Sequence, residues 1–145
     1  MAKVSTYFNF AGNTEEAFEF YKSVFGTEYD GQIFRMGDMP AADGQPELSD
    51  EMKQMVAHVS LPILDGHRLM GTDAPEEMGF KLNQGNNVYV MLQTDTREDA
   101  DRYFAALSEG GKVEMPMADQ SWGDYYGSFT DKYGVNWMID HSTAA

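Results

Sequence analysis

The chain has 145 residues with 24 acidic and 10 basic side chains, and its formal net charge of −14 argues against nucleic acid and anionic membranes as partners. The absence of cysteine excludes disulfides, thiol catalysis and thiolate metal sites. No apolar run approaches the roughly 20 residues of a membrane span, and the N-terminus lacks the apolar core of a signal peptide, so a cytoplasmic protein is expected.

The first half of the chain is predicted to form a strand, a helix and three further strands. Residues 4–10 alternate apolar and polar side chains, which predicts a strand. Asn13, with Glu16 three residues later, is typical of a helix start, and Gly26 of a helix end. The elements that follow are a weaker strand (28–36), an irregular acidic loop (38–50) and a hairpin (56–73).

The hairpin carries the first candidate for catalysis. Asp65-Gly66 is a strong signal for a two-residue turn, which would place His58 directly opposite Asp73. A neutral histidine oriented by a carboxylate is a usable general base near pH 7. A purely structural cross-strand pair is the alternative. Pro62 cannot donate a ladder hydrogen bond and is a position where a bulge would change this register.

The second half of the chain repeats the same order of elements. After a linker (74–86) come a strand (87–93), a helix capped by Asp95, a short strand (112–117) and a second hairpin (125–130 and 135–140). Two such βαβββ modules predict two half-sheets around a shared cavity. A cavity of this kind is the default ligand site.

Several stretches resemble the PhnB-like branch of the vicinal oxygen chelate superfamily, which also holds glyoxalase I, extradiol dioxygenases and the bleomycin and fosfomycin resistance proteins. They are YFNFAGNTEEAFEFYKSVFG, VAHVSL, GTDAP and WGDYYGSFTDKYGVNWMID. The resemblance implies an α+β fold with curved mixed sheets around a cavity, and usually a homodimer. The chain is then one domain, with module one at about 1–75, a linker at about 76–85 and module two at about 86–141.

The resemblance also implies where a metal would be held, at the first and last strands of each module. Those positions fall on Thr6, Gly71, Tyr89 and Met138. None is a normal ligand of a divalent metal, so no metal or other cofactor is predicted, and glyoxalase-type and dioxygenase-type activity is in doubt. Some members are labelled as methyltransferases or DNA-binding proteins. This sequence supports neither label, because it has no glycine-rich loop for a methyl donor and its net charge is negative.

The candidates for the cavity wall are the side chains expected to share a face with the lost ligand positions. They are Thr6, Phe8, Phe10, His58, Gly71, Asp73, Tyr89, Met91, Asn136 and Met138. Trp122, Tyr125 and Tyr126 lie on a glycine-flanked segment that could cage a flat or cationic ligand. Ordinary core and rim packing is the alternative interpretation of these aromatic residues.

Two functions follow from these observations. The first is a protein that binds a small molecule, cationic or aromatic, in a metal-free cavity. The second is a small-molecule enzyme of the lyase, isomerase or dioxygenase type, in which His58 and Asp73 transfer a proton, with or without a weakly held divalent metal. Metal titration and a thermal-shift screen would separate the two.

Overall fold

The computed structural model describes residues 1–40, 44 and 46–142. The chain divides into two compact units, Met1–Leu82 and Asn83–Ala145. Each unit carries a four-stranded mixed sheet and one long helix in the order β, α, β, β, β, so the predicted α+β class with two βαβββ modules is confirmed. Parts of the predicted acidic loop and of the C-terminal tail lie outside the described residues.

The elements follow one another in the two units with matching order. Those of the first unit are β1 (Thr6–Phe10), α1 (Thr14–Phe25), β2 (Phe34–Arg35), the short helix α2 (Asp50–Gln54), β3 (Val56–Pro62) and β4 (Arg68–Asp73). Those of the second unit are β5 (Val90–Gln93), α3 (Arg97–Ser108), β6 (Lys112–Asp119), β7 (Asp124–Thr130) and β8 (Asn136–Ser142). Among the described residues, no helix combines the length and the apolar character needed to cross a membrane.

Helix α1 covers one face of the first sheet, whose strand order is β1-β4-β3-β2. Phe8 and Phe10 of β1 pack against Phe18 and Tyr21 of α1, with ring centroids 6.3 to 6.5 Å apart. We call this face of a sheet its helix face and the opposite one its far face. Because side chains alternate along a strand, Tyr7 and Asn9 lie on the far face.

The start of α1 is stabilised from β4 rather than from the helix itself. Asn13 occupies the predicted N-cap position, but its side chain makes no capping hydrogen bond to the described residues. Instead, Oδ1 of Asp73 accepts hydrogen bonds from N and Oγ1 of Thr14 at 3.0 and 2.7 Å. Oδ2 of Asp73 accepts a third from N of Val56 at 2.8 Å. A buried carboxylate therefore joins α1, β3 and β4.

The predicted turn between β3 and β4 is present, but a bulge precedes it. Asp65 and Gly66 have the left-handed backbone that this turn needs, with φ of 50° and 75°. N of His67 donates to O of Leu64 at 3.0 Å, whereas O of His67 accepts from N of Ile63 at 2.8 Å. Two residues of β3 thus oppose one of β4, next to Pro62, and this is a β-bulge.

The bulge makes the predicted register wrong by one residue. Ser60 pairs with Met70 and Val59 with Gly71, instead of Ser60 with Gly71. A one-residue shift moves every side chain of one strand to the other face relative to its neighbour. Gly71 therefore lies on the helix face, where an added Cβ would be 2.7 Å from Cε1 of Phe18.

Helix α3 covers the second sheet, whose strand order is β5-β8-β7-β6. Phe104 packs on Phe129 of β7 at 5.0 Å between ring centroids. The N-cap is Thr96, not the predicted Asp95, and its Oγ1 accepts from N of Asp99 at 3.0 Å. Unlike α1, this helix is capped by its own segment.

Several predicted elements differ from the structure. The strand expected over 28–36 is only Phe34–Arg35, and α2 was not predicted. Strand β6 continues through Pro116 to Asp119, beyond the predicted end. It is an outer strand whose pairing with β7 is irregular between Met115 and Ala118, and proline is tolerated in such strands.

Candidate functional site

The first unit contains a pocket of about 280 Å³ on the far face of its sheet. Its floor includes Asn9 of β1 and Thr72 of β4, which are register partners. The remaining lining residues come from the ends of β3 and β4 and from the segments that follow β2 and β4. They are Met36, Met39, Leu48, Ala57, Asp73, Ala74, Met78 and Phe80.

The pocket is mainly apolar, and its rim exposes large side chains. Met39 and Phe80 are more than half exposed, at 57% and 52%, and Met78 is 42% exposed. Methionine side chains are flexible and polarisable, so they adapt to ligands of different shape. An exposed apolar cluster next to a concavity is a common mark of a binding site.

Few polar groups are available to a ligand in this pocket. The Thr72 hydroxyl donates to O of Val56 at 3.2 Å and to O of Asp73 at 3.3 Å. The Asp73 carboxylate is already bonded to three donors. The Asn9 side chain makes no hydrogen bond to the described residues, so its amide is the free polar group of the wall.

The predicted His58–Asp73 pair is not formed. Asp73 lies on the helix face, where it caps α1, while His58 lies on the far face. Nδ1 of His58 is 3.3 Å from the hydroxyl of Tyr7, and the two rings stack with centroids 5.8 Å apart. The bulge before the turn is the physical reason, because it shifts β3 by one residue against β4.

The other predicted wall residues of the first unit also belong to the helix face. Phe8 and Phe10 pack against α1, and Gly71 abuts Phe18. The Thr6 hydroxyl is 2.9 Å from Nε2 of His67, near the turn. These four residues form core and turn structure, and the structure does not bring them to the pocket.

In the second unit, the predicted wall residues do share the far face. Phe129 contacts α3 and pairs with Trp137, so Met138 and Asn136 point the other way, as does Met91, the partner of Met138. Asn136 has a structural task, because its amide donates to O of Gly85 at 2.9 Å.

Tyr89 shows how strongly the second sheet curves. It directly precedes β5 at one edge of the sheet, yet its hydroxyl donates to Oε1 of Glu114 on β6, the opposite edge, at 2.9 Å. The hydrogen bond to Glu114, together with burial, raises the pKa of Tyr89. The far face of this sheet is therefore concave.

The predicted aromatic cage is divided between two faces. The Tyr125 hydroxyl donates to Asp101 of α3, and the Arg97 guanidinium lies 4.0 Å from the ring centroid. Tyr125 thus already has a cation from its own chain. Trp122 is exposed and donates its indole N–H to Oδ2 of Asp124 at 3.1 Å, whereas Tyr126 lies on the far face opposite Asp140.

Asp140 is the most unusual ionisable group of the second unit. It is only 4% exposed, and its Oδ1 has no hydrogen-bond partner among the residues that the structure describes. Burial raises the pKa of Asp140, and the nearby Asp124 carboxylate raises it further, while His141 opposes the shift. No sequence pattern singled out this residue.

The residues at the four expected metal positions do not fit a divalent metal. Gly71 has no side chain, Thr6 is bonded to His67, and Tyr89 is bonded to Glu114. Within residues 1–40, 44 and 46–142, no group of three or more His, Cys, Asp or Glu side chains is placed to hold a metal ion.

The sequence interpretation missed most of the pocket. Met36, Met39 and Leu48 lie in or beside the predicted acidic loop, and Met78 and Phe80 lie in the predicted linker. Large apolar residues in otherwise polar, glycine-containing segments were the available signal.

Comparison with known proteins gives the family. Residues 2–140 match the family described as 3-demethylubiquinone-9 3-methyltransferase. Protein YjdN of Escherichia coli (strain K12) is 30% identical over 142 residues, which cover 94% of this chain and 93% of YjdN.

Solved structures agree with this match. Protein PA1353 from Pseudomonas aeruginosa has a TM-score of 0.81 at 30% identity, with 98% of each chain covered. The PhnB protein from Bacillus cereus has a TM-score of 0.72 at 26% identity, with 97% of this chain and 100% of its own covered.

A more distant structure identifies the fold alone. It is a glyoxalase/bleomycin resistance protein/dioxygenase family enzyme from Burkholderia phytofirmans PsJN, with a TM-score of 0.61 at 16% identity, covering 94% of this chain and 97% of its own. From the match over residues 2–140 and these likenesses, the chain belongs to the 3-demethylubiquinone-9 3-methyltransferase family, in its PhnB-like branch.

Proposed function

We propose that this protein binds a small, largely apolar molecule in the methionine-lined pocket of its first unit. The observation that carries the proposal is the pocket of about 280 Å³ with large apolar side chains exposed at its rim. Leaving such side chains in water is unfavourable, at roughly 25 cal/mol per Å² of apolar surface. A ligand that covers Met39, Met78 and Phe80 would recover that free energy.

The pocket differs from the site expected from the sequence in position and in chemistry. It lies within the first unit and uses loop side chains, and its polar wall is the Asn9 amide. A single free polar group in an apolar wall orients a ligand without demanding a charged one. The bound molecule is therefore expected to be neutral rather than cationic.

The enzymatic alternative has no geometric support at His58 and Asp73, because the two side chains lie on opposite faces of the sheet. The Asp73 carboxylate is also bonded to three donors, so it is not available as a base. Methyl transfer is not part of the proposal, because it requires a site for a methyl donor, and the pocket is too apolar to bind a charged one.

We expect the protein to be metal-free, because the residues at the four expected metal positions are poor ligands for divalent metals. They are Thr6, Gly71, Tyr89 and Met138. Elemental analysis of the purified protein should show no stoichiometric zinc, nickel or iron. About one tightly held metal ion per chain would contradict this expectation.

We also expect a homodimer. Strands β1 and β2 are the outer strands of the first sheet, and β5 and β6 are those of the second. Outer strands carry backbone groups that need covering. Light scattering at micromolar concentration should report twice the chain mass, and a monomer would contradict the expectation.

Binding can be tested with N-phenylnaphthylamine, an uncharged probe that fluoresces in apolar surroundings. The protein should bind it saturably at one site per chain. The double variant Met39→Gln/Met78→Gln keeps side-chain size but makes the rim polar, so the affinity should fall about tenfold, or about 1.4 kcal/mol.

Met115→Gln is the matched control, because Met115 lies on β6 of the second unit and is 47% exposed, close to the values of 57% and 42% for the pocket methionines. Its affinity for the probe should equal that of the wild type. Equal affinities in all three proteins, or no saturable binding at all, would contradict the proposed function.

A further inference from the structure

The far face of the first sheet carries a polar pair beside the pocket. Tyr7 precedes the pocket residue Asn9 by two positions on β1, so both point to the same face, roughly 7 Å apart along the strand. Tyr7 is half exposed, at 50%. Its hydroxyl reaches across β4 to Nδ1 of His58 on β3, at 3.3 Å.

The position of His58 follows from the strand pairing. Strand β3 pairs with β4 from Pro62–Arg68 to Val59–Gly71, and His58 directly precedes Val59. Ala57, the residue before His58, lines the pocket. On its other side, His58 pairs with Phe34 of β2, two residues before the pocket residue Met36. The imidazole thus lies on the same face of the sheet as the pocket, next in sequence to one of its lining residues.

The Tyr7 hydroxyl determines which nitrogen of His58 carries a proton. Burial raises the pKa of Tyr7, so the phenol keeps its proton at neutral pH. A phenol O–H is a better donor than acceptor, and an imidazole nitrogen is the stronger base, so Tyr7 donates to Nδ1. The proton of the neutral ring then resides on Nε2.

Nε2 of His58 has no hydrogen-bond partner in the described ranges of the chain. It is therefore an N–H donor on the face of the sheet that carries the pocket, and the Asn9 amide is a second polar group on the same face. A donor in this position is satisfied by an acceptor such as a carbonyl oxygen. It rejects a group that can only donate, because the Nε2 proton would be left facing another proton.

We propose that His58, held by Tyr7, selects small apolar molecules that carry a carbonyl oxygen, with the apolar part in the methionine-lined pocket and the oxygen on Nε2. This inference rests on the proposed function, because it names the ligand class of the same pocket. Tyr7 acts as a positioning residue, and His58 contacts the ligand.

The test uses two uncharged molecules of the same shape. Acetophenone carries a carbonyl oxygen where α-methylstyrene carries a methylene group, and each is titrated against bound N-phenylnaphthylamine. The affinity ratio of acetophenone to α-methylstyrene is measured for the wild type and for each variant. His58→Phe removes the donor and should lower this ratio roughly three- to tenfold.

Tyr7→Phe keeps the aromatic ring but releases the imidazole, so the ratio should fall by a smaller factor. Tyr29→Phe is the matched control, because its hydroxyl binds Glu19 and not His58, and its ratio should equal that of the wild type. An unchanged ratio in a folded His58→Phe protein overturns the selection by His58 and leaves the proposed function intact. If N-phenylnaphthylamine itself does not bind, both fail.

Nitrogen NMR of the wild-type protein provides a measurement that needs no variant. Nδ1 of His58 should be the unprotonated nitrogen, and Nε2 the protonated one. The opposite tautomer in the free protein would overturn the proposal, because Nε2 would then be an acceptor.

Discussion

Asp73 and Asp140 are both buried near the end of the strand that pairs in parallel with the first strand of their unit, yet their surroundings differ. Asp73 pairs with Phe10 and points to the helix face, where three donors surround its carboxylate. Asp140 pairs with Gln93 and points to the far face, where Oδ1 has no partner among the described residues and Asp124 lies nearby.

For these two residues, similar burial has different consequences because the groups around them on the two faces differ. On the helix face of the first sheet, the free N–H groups at the start of α1 attract an acceptor. On the far face of the second sheet, the carboxylate meets another acid. In the first unit, Asp73 links α1, β3 and β4. In the second unit, the surroundings of Asp140 disfavour its ionised form.

The largest expected effect is that of Asp73→Ala. The change leaves N and Oγ1 of Thr14 and N of Val56 without their acceptor in a buried place. We expect the free energy of unfolding to fall by about 3 kcal/mol or more, measured by urea denaturation. A loss below about 1 kcal/mol would mean that water replaces the carboxylate, and that the link between α1, β3 and β4 is not needed.

Asp140→Asn should act in the opposite direction. Because burial and Asp124 raise the pKa of Asp140, the folded protein holds this proton to a higher pH than the unfolded chain does. The ionised group therefore destabilises the fold increasingly as the pH rises from about 4 through the folded-state pKa. The variant should gain about 1 kcal/mol at pH 7, through loss of the charge and a new N–H donor towards Asp124.

The pH dependence distinguishes this explanation from general packing. The gain of Asp140→Asn should shrink as the pH falls and vanish below about pH 4, where the wild-type carboxyl is protonated in both states. A gain that is independent of pH, or a loss of stability at pH 7, would contradict the account of Asp140.

The smallest expected effects concern the two helix starts. Thr96→Ala removes the acceptor for N of Asp99 and should cost about 1 kcal/mol. Asn13→Ala should cost much less, because the start of α1 is held by Asp73 and not by the Asn13 side chain. Thermal unfolding of the two variants should rank them in this order, and a larger loss for Asn13→Ala would reverse the assignment of the cap.

Local patterns predicted the fold well, because each signal acted within a few residues. Asp65-Gly66 forms the expected turn, and the N-caps of the two long helices lie within one residue of the predicted caps. Which acceptor completes a cap was not predictable, because Asp73 is 59 residues from Thr14 in sequence. Such a contact depends on how the strands pair.

The site was predicted less well for a related reason. The alternation of side chains groups residues by face but does not say which group faces the helix. In addition, one bulge at Ile63 and Leu64 shifts the pairing by one residue, so the side chains of β4 share a face with the other set of β3 side chains than predicted. Tyr125 and Tyr126 are consecutive residues of β7, so alternation alone places them on opposite faces, and the predicted cage did not take this into account. The pocket escaped prediction because its apolar residues are spread over segments without periodicity.

The comparison of the two units leads to one direct test of the central claim, that the first unit holds the ligand. Amide nitrogen–proton correlation spectra of the protein, recorded with and without N-phenylnaphthylamine, report which backbone groups sense the probe. The account predicts shifts at Asn9, Thr72 and Ala74, with the amides of β7 and β8 unchanged. Shifts concentrated around Ser128 and Met138 on the far face of the second sheet, with Asn9 and Thr72 unchanged, would contradict it.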